Sequence, residues 1–322
     1  MVDRTTHKPR VSIGLVAYNE ERFIRRTVES LLAQDFTDFE LIISDNASSD
    51  RTEEICREFV SRDPRVSYHR NAENIGAVGN LNRVAGRASG EYFLLSCAHD
   101  LYDPTFLSKA VRILESDPGV VLCYSDCSFI DEGDKVFMAV RRQVDTRGKT
   151  ARARYNAAIW TLDCYVICGL HRMSVLRQVL PMRQVMGADN LVLAELSFLG
   201  AFANIPEGLF FLRTFRTPGD MPAAWKRLIN EEVRIRRYPA LFWRYARNFL
   251  GVVARRSGTP SERVCLGASA ILRLAKMAVG TTGVFLISAC APRLLRRLSR
   301  WLLGSRRTVG HRELASPPVL RK

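Results

Sequence analysis

Three short polar segments combine residue types that bind ligands and transfer protons: Tyr18-Asn19-Glu20, Asp45–Asp50 and Ala98-His99-Asp100. Each segment directly follows an apolar run that is typical of a buried strand. Carboxylates in such places can accept hydrogen bonds from a base or a ribose, and the ring of Tyr18 can stack on a base. A single acid here could equally cap a helix, but three segments at one sheet edge favour a ligand site.

The elements that must position these segments alternate between strand and helix. The pattern predicts strands at Val11–Ala17, Phe39–Ser44, Val66–His69, Glu91–Cys97 and Val120–Tyr124, with helices between them. This alternation predicts an α/β fold with a doubly wound, mostly parallel sheet and helices on both faces. In such a sheet the ligand lies beyond the carboxyl ends of the strands, which is where the polar segments stand.

Two common phosphate-binding motifs are absent from the sequence. No G-x-G-x-x-G follows the first strand, and no G-x-x-x-x-G-K-[ST] occurs. Both the dinucleotide fingerprint and the P-loop are therefore excluded. A phosphate bound at this edge would need a cation or basic side chains instead.

Three blocks in order resemble a known family: VSIGLVAYNEERFIRRTVESLLAQDFTDFELIISDNASSDRT, then Asn74-Ile75-Gly76, then GEYFLLSCAHDLYDPTFL. They resemble glycosyltransferase family 2, whose members have the GT-A fold and transfer a sugar from a nucleotide diphosphate with inversion. The resemblance is dense over residues 10–130 and thinner to about residue 215. It implies that Tyr18 and Asp45 hold the nucleotide base. The implied donor-binding residues in this half are Tyr18, Asn19, Glu20, Asp45, Asn74 and Asn80.

The resemblance also implies a metal site after the strand that ends at Cys97. Family members commonly carry an acidic D-x-D-type cluster there, which binds Mn²⁺ or Mg²⁺ at the diphosphate. Ala98-His99-Asp100 departs from that pattern, because one carboxylate is missing and an imidazole replaces another. Imidazole can ligate Mn²⁺, so His99 and Asp100 are the implied metal ligands. The alternative is that His99 packs or hydrogen-bonds there and that metal affinity is lost.

A second motif stands at Gly187-Ala188-Asp189-Asn190, before an apolar helical stretch. It resembles the acceptor-side motif of the family, in which a carboxylate opens a helix. Asp189 is then the implied general base, which removes the proton from the attacking sugar hydroxyl. The alternative is that Asp189 caps this helix, and the two roles are compatible.

Two arginines stand near residues 211–218, where relatives often present a histidine that contacts the diphosphate. Arg213 and Arg216 are candidate donor-binding residues, because a guanidinium can bind phosphate through two parallel hydrogen bonds. The alternative is that this function is absent from the chain.

The resemblance and the change in composition predict a donor-binding half (residues 10–130), an acceptor-side half (131–220) and a basic helical tail (221–322). Residues 131–154 are charged and weakly patterned, which predicts a long mobile loop. Residues 222–322 contain 21 Lys or Arg and four Glu, a formal charge of +17. Since the whole chain carries +15, residues 1–221 carry −2. The excess positive charge therefore lies in the tail. Charge of this kind bears on what the tail binds and not on how it folds.

The tail has the composition of a membrane-surface helix. Arg293, Arg296, Arg297 and Arg300 alternate with leucines and Trp301, which is typical of an amphipathic helix on an anionic membrane. The uncharged run Met277–Pro292 would form a helix about 24 Å long, short of the ~30 Å hydrocarbon core. We therefore expect a peripheral association. The alternatives are a solvated helical bundle and, as a weaker one, a nucleic-acid surface.

Cysteine usage and the N-terminus indicate the compartment. The eight cysteines are dispersed, and residues 1–10 are polar without a secretory pattern, so we expect reduced thiols and a cytoplasmic location on the inner membrane face. The pairs Cys123/Cys127 and Cys164/Cys168 are interpreted as core packing, with a zinc site as the alternative.

The function expected from these features is sugar transfer by a metal-dependent glycosyltransferase of polysaccharide biosynthesis. Its expected partners are a nucleotide-diphosphate sugar, a glycan or lipid-linked acceptor and an anionic membrane surface, without nucleic acid. The alternative is a non-catalytic module of the same fold that binds sugar nucleotide or glycan at the membrane.

Overall fold

The computed structural model describes residues 8–141, 144–185, 187–214 and 238–274. Within these ranges one sheet contains nine strands. They are β1 (Val11–Ala17), β2 (Phe39–Asp45), β3 (Val66–Arg70), β4 (Tyr92–Cys97), β5 (Leu101–Tyr102), β6 (Val120–Ile130), β7 (Val136–Val140), β8 (Leu170–Arg172) and β9 (Ala201–Arg213).

Helices follow most of the strands along the chain. They are α1 (Ile24–Leu32), α2 (Thr52–Arg62), α3 (Gly76–Arg87), α4 (Phe106–Ser116), α5 (Ala151–Trp160), α6 (Met173–Leu176), α7 (Ala188–Leu199) and α8 (Tyr238–Arg256). A 3₁₀ helix covers Cys164–Cys168, and residues 260–274 are also helical.

The sheet has the order β3-β2-β1-β4-β8-β6-β9-β5, with β7 paired to β6. The first four strands in this order are parallel, as the alternation of strands and helices predicted. Beyond β4 the sheet is mixed, because β8 runs antiparallel to β4 and β6, and β5 runs antiparallel to β9. The α/β class is confirmed. The additional antiparallel pairs involve short strands, which need no helical crossover and leave a weak sequence pattern.

The prediction of one long loop over residues 131–154 was wrong. A tight turn over residues 131–135 leads into β7, which pairs with β6 as a hairpin, and α5 begins at Ala151. The carboxylate of Asp131 accepts hydrogen bonds from the backbone N–H groups of Gly133 and Lys135 and closes the turn. Strand β7 escaped prediction because its side chains are largely exposed and give no burial pattern.

The main core surrounds β1, β2 and β4. Val11, Ile13 and Leu15 of β1 are fully buried, because helices and neighbouring strands cover the strand. Gly14 lies between them, and a Cβ at this position would come 2.7 Å from the ring of Phe93. This close packing holds the parallel strands in place, and the strands in turn position the loops that follow their carboxyl ends.

A second apolar cluster joins the described C-terminal helices to the rest of the protein. Tyr245, Phe249 and Leu266 pack there with Tyr155 of α5 and Leu191 of α7. Residues 244–274 therefore pack as a helical bundle on α5 and α7. For this part of the chain, the structure agrees with the alternative of a helical bundle and not with a free helix on a membrane surface. Within the described ranges, no helix is both long and apolar enough to cross a membrane.

Three predictions for the tail lie outside the described residues: the domain boundary near residue 220, the apolar run Met277–Pro292 and the basic helix Arg293–Arg300.

Candidate functional site

Three predicted ligand-binding segments meet at one edge of the sheet. Strand β1 lies between β2 and β4, with Ala17 opposite Asp45 and Val16 opposite Cys97. The chain therefore leaves all three strands at the same level, and the segments after them are neighbours. The convergence expected from the strand pattern is confirmed.

The loops after β1 and β2 are bound to each other. The side chain of Asn19 accepts a hydrogen bond from the N–H of Ser49 (2.8 Å), and its own N–H donates to Oγ of Ser48 (2.9 Å). The N–H of Glu20 donates to Oγ1 of Thr52 (2.8 Å). Asn19 has a left-handed backbone conformation (φ 55°), which asparagine tolerates well. Asn19 therefore holds the two loops together, while the nearby ring of Tyr18 is 40% exposed.

Asp45 is fully buried and is held by three hydrogen bonds. One carboxylate oxygen accepts from N and Oγ of Ser48 (2.9 and 2.5 Å), and the other accepts from the hydroxyl of Tyr68 (2.6 Å). Nε of Arg70 lies 3.9 Å from the second oxygen. Burial and the hydrogen bond to Asp45 raise the pKa of Tyr68 well above its usual value. The sequence did not indicate Tyr68 and Arg70, because their nearness to Asp45 depends on the pairing of β3 with β2.

Asn74 and Asn80 both support the loop after β2. Asn80 is buried, donates to the carbonyl of Ser44 (2.8 Å) and accepts from the hydroxyl of the same residue (2.6 Å). The side-chain oxygen of Asn74 accepts from the side-chain amide of Asn46 (2.8 Å). Both amides thus anchor the start of α3 to the end of β2, at the border of the site.

The turn after β4 gathers three possible metal ligands. Cys97, His99 and Asp100 each offer one ligand atom, and these atoms all lie within 4.8 Å of one another. Nδ1 of His99 lies 2.8 Å from a carboxylate oxygen of Glu20. Asp100 is buried and accepts a hydrogen bond from the N–H of Arg213 (2.9 Å). The structure thus brings Glu20, His99 and Asp100 together as predicted, and it adds Cys97.

The ionisation of this turn is strongly shifted. Burial opposes charge on His99, but Asp100 and the hydrogen bond to Glu20 outweigh it and raise the pKa of His99 to about 10. Burial raises the pKa of Asp100. A hydrogen bond from the thiol of Cys168 lowers the pKa of Cys97. A buried, charge-coupled cluster of this kind is typical of a functional site.

Arg213 lies beside the turn as a structural link. Its side chain is fully buried, its Nε donates to the carbonyl of His99 (2.8 Å), and the other guanidinium nitrogens donate to the carbonyl of Asp131 and the carboxylate of Asp134. Its guanidinium also lies over the ring of Phe23. This differs from the expected phosphate-binding arginine, because every guanidinium nitrogen is engaged by the protein itself. Arg216 lies outside the described residues.

Asp189 lies in the first turn of α7 and accepts a hydrogen bond from the thiol of Cys164. The N-cap residue is Gly187, so the interpretation of Asp189 as the cap was wrong by two positions. Gly187 has a left-handed conformation (φ 65°), and a Cβ there would lie 2.7 Å from the ring of Tyr245. Burial raises the pKa of Asp189, which suits a carboxylate that must accept a proton.

The 3₁₀ helix Cys164–Cys168 connects the two halves of the site. At its first residue the Cys164 thiol contacts Asp189, and at its last residue the Cys168 thiol contacts Cys97. These two cysteines therefore serve the site, whereas Cys123 and Cys127 are buried in β6 and pack in the core as predicted. All seven described cysteines carry free thiols.

Two solved structures share this fold. TarS of S. aureus in complex with UDP-GlcNAc superimposes with a TM-score of 0.66 at 15% identity, covering 89% of this chain and 77% of that chain. The mannosyltransferase PcManGT of Pyrobaculum calidifontis, in complex with GDP-Man and Mn²⁺, gives a TM-score of 0.51 at 19% identity, over 92% and 84% of the two chains. The fold is therefore that of the GT-A glycosyltransferases.

The sequence is also similar to curated relatives and to a whole family. An uncharacterized glycosyltransferase of Methanocaldococcus jannaschii is 31% identical over 131 residues, which cover 40% of this chain and 45% of the relative. The chain thus spans less than half the length of this relative. The sequence pattern of glycosyl transferase family 2 matches residues 12–180, slightly more than half of the chain. The chain belongs to glycosyl transferase family 2.

Proposed function

We propose that this protein moves a sugar from a nucleotide-diphosphate donor to an acceptor hydroxyl, with inversion at the anomeric carbon. The observation that carries the proposal is the convergence of Tyr18, Asp45 and the Cys97–Asp100 turn at one sheet edge. Family membership and the fold shared with TarS and PcManGT support sugar transfer.

The nucleotide base binds between the exposed ring of Tyr18 and the end of β2. A carboxylate has about four lone-pair sites, and three of those on Asp45 accept hydrogen bonds from Ser48 and Tyr68. One acceptor site of Asp45 therefore has no hydrogen bond, and because Asp45 is fully buried a base N–H or a ribose hydroxyl must displace a neighbouring side chain to reach it. Asn19, Asn74 and Asn80 hold the surrounding loops in place.

A divalent cation fits the turn after β4. Cys97, His99 and Asp100 supply sulfur, nitrogen and oxygen donors at mutual distances that one ion can bridge after small side-chain adjustments. When bound, a cation there supplies positive charge against the leaving nucleotide diphosphate. Glu20 fixes the ring of His99, and Arg213 fixes the backbone of the turn.

Asp189 is the proposed general base. Its carboxylate is half-buried at the start of α7, and burial raises its pKa, so it binds a proton more readily than an exposed carboxylate. It accepts the proton from the acceptor hydroxyl as that oxygen attacks the anomeric carbon. The bond to the nucleotide diphosphate breaks on the opposite side, which inverts the configuration.

Calorimetric titration with UDP- and GDP-sugars, with and without Mn²⁺, tests donor binding, and release of nucleoside diphosphate tests transfer. We expect Asp189→Asn to keep donor binding and to lower transfer about 10²–10⁴-fold. The matched control is Asp35→Asn, because Asp35 is exposed and contacts only the surface residue Ser108 through its side chain. Unchanged transfer by Asp189→Asn would contradict the assignment of the base.

The proposed acceptor is a glycan or lipid-linked glycan at the cytoplasmic face of the membrane. The basic charge of residues 222–322 supports attraction to anionic lipid. Sedimentation with phosphatidylserine and phosphatidylcholine vesicles tests it: we expect binding to the former only, weakened by salt.

A second candidate is a module of the same fold that binds sugar nucleotide without turnover. Its support is the altered Ala98-His99-Asp100 cluster, which lacks the carboxylate expected before His99. Donor binding without nucleotide release, across a panel of acceptors, would favour this second candidate.

A further inference from the structure

The turn after β4 contains a sulfur ligand that the implied manganese or magnesium site does not need. The ligand atoms of Cys97, His99 and Asp100 lie within 4.8 Å of one another. Zinc bonds to such ligands are about 2.0–2.3 Å long, so at tetrahedral angles two ligand atoms of one ion lie about 3.3–3.8 Å apart. The ligand atoms must therefore approach one another by about 1 Å to bind one ion, which rotation of their side chains can supply.

The donor set decides between metals. Mg²⁺ prefers oxygen ligands in an octahedral arrangement, whereas thiolate and imidazole favour Zn²⁺. A Cys-His-Asp set with one open position also matches the three protein ligands of catalytic zinc sites. We propose that Cys97, His99 and Asp100 form a Zn²⁺ site, with the Cys97 thiolate as the ligand that selects zinc over Mg²⁺ and Mn²⁺.

Each of the three ligands has a hydrogen-bond partner of the kind that orients the ligands of a metal site. Glu20 lies 2.8 Å from Nδ1 of His99, and a carboxylate in this position orients the ring toward a metal on the other nitrogen. The N–H of Arg213 donates to Asp100 at 2.9 Å, and the Cys168 thiol donates to the sulfur of Cys97. Each ligand is thus positioned by a separate hydrogen bond.

The charges around the turn also favour a cation. Glu20, Asp100 and Cys97 converge there, while the adjacent Arg213 guanidinium is paired with Asp134. Binding of Zn²⁺ displaces the thiol proton of Cys97 and a ring proton of His99, which leave to solvent. The binding of zinc is argued from the three ligands alone. Only the statement that the ion lies where a donor diphosphate would bind rests on the proposed function.

Cobalt(II) gives a readout that is independent of transfer. The full chain, reduced and stripped with a chelator, is titrated with Co²⁺ while the near-ultraviolet thiolate-to-cobalt charge-transfer band is recorded. We expect a band that saturates at one equivalent, that stoichiometric Zn²⁺ removes, and that about a hundredfold excess of Mg²⁺ leaves unchanged.

The variants separate the thiolate from other cysteines. Cys97→Ser should abolish the band, while Cys265→Ser, at an exposed position on the helix 260–274, should keep it. Cys97→Asp is the second variant: it should lose the band and gain Mn²⁺ binding, because it replaces sulfur with oxygen. Circular dichroism establishes that each variant is folded.

The outcomes distinguish this inference from the proposed function. Three results would overturn the zinc site. They are absence of the cobalt band in the native chain, persistence of the band in Cys97→Ser, and disappearance of the band when Mg²⁺ is added. Nucleotide release with Mn²⁺ or Mg²⁺ and no cobalt band leaves the proposed function in place and rejects the inference. The expected band without nucleotide release by any donor keeps the zinc site and rejects the proposed function.

Discussion

The thiol of Cys164 donates a hydrogen bond to the carboxylate of Asp189. A hydrogen bond to the ionised form lowers the pKa of a carboxyl group, so this contact partly offsets the effect of burial. Cys164 is therefore a positioning residue for the proposed base.

Cys164→Ala should move the acid limb of the kcat–pH profile to higher pH. Without the thiol, the pKa of Asp189 rises further, and Asp189 stays protonated and unable to accept a proton up to a higher pH. The profile is measured with a saturating donor, and Cys164→Ser should restore the native limb. A lower rate with an unmoved limb would mean that the thiol only supports the local packing.

The pairing of His99 with Asp100 and Glu20 predicts a pH-dependent stability of the metal-free protein. The pKa of His99 is about 10 in the folded protein, above its unfolded value, so the folded state binds the extra proton. This stabilisation is fully present below the unfolded pKa of about 6.5 and is lost as the pH rises through about 10. We expect the midpoint of urea unfolding of the metal-free protein to fall as the pH rises from about 6.5 to about 10. In His99→Gln the midpoint should fall less steeply with pH. An equally steep decline in His99→Gln would contradict the assignment.

Gly187→Ala should destabilise the fold by about 1–3 kcal/mol, because its φ is 65° and its Cβ would strike the ring of Tyr245. The matched control is Gly86→Ala in α3, where a Cβ meets no atom within 4 Å and a better helix former replaces glycine. Urea unfolding should show loss in the first variant and no loss in the second. Equal stability of both would mean that Tyr245 moves aside freely.

Arg213→Met should destabilise the protein by about 1–3 kcal/mol, because it removes buried hydrogen bonds to the carbonyls of His99 and Asp131, while Asp134 keeps its ion pair with Arg26. Arg22→Met serves as the control, since the exposed pair Arg22–Glu132 holds the same turn and should contribute less than about 1 kcal/mol. Both free energies of unfolding come from urea titration. If both variants lost a similar free energy of unfolding, burial would not determine how much these arginine contacts stabilise the protein.

Much of the donor half could be predicted from the sequence because strong local signals agree there. Apolar runs defined β1, β2 and β4, and the polar residues after them had to meet once the strands were parallel. The position of Asn80 was found but its role was not, because only the structure shows that its amide is buried against Ser44.

The contacts made across long sequence separations could not be predicted. Arg213 was expected to be available to phosphate, yet the antiparallel pairing of β5 with β9 brings it beside Asp100 and the β6–β7 turn engages it. Cys97 was interpreted as the last residue of a strand, because its nearness to His99 depends on the turn that follows and its contact with Cys168 on a distant helix.

The five-residue 3₁₀ helix also acts as a spacer of fixed length. With about 2 Å of rise per residue, it places the backbones of Cys164 and Cys168 about 8 Å apart along its axis. One residue inserted between Cys164 and Cys168 would rotate one thiol by about 120° relative to the other. The length of this segment thus fixes the orientation of the Cys164–Asp189 contact relative to the Cys168–Cys97 contact, so an insertion there alters both parts of the proposed site together.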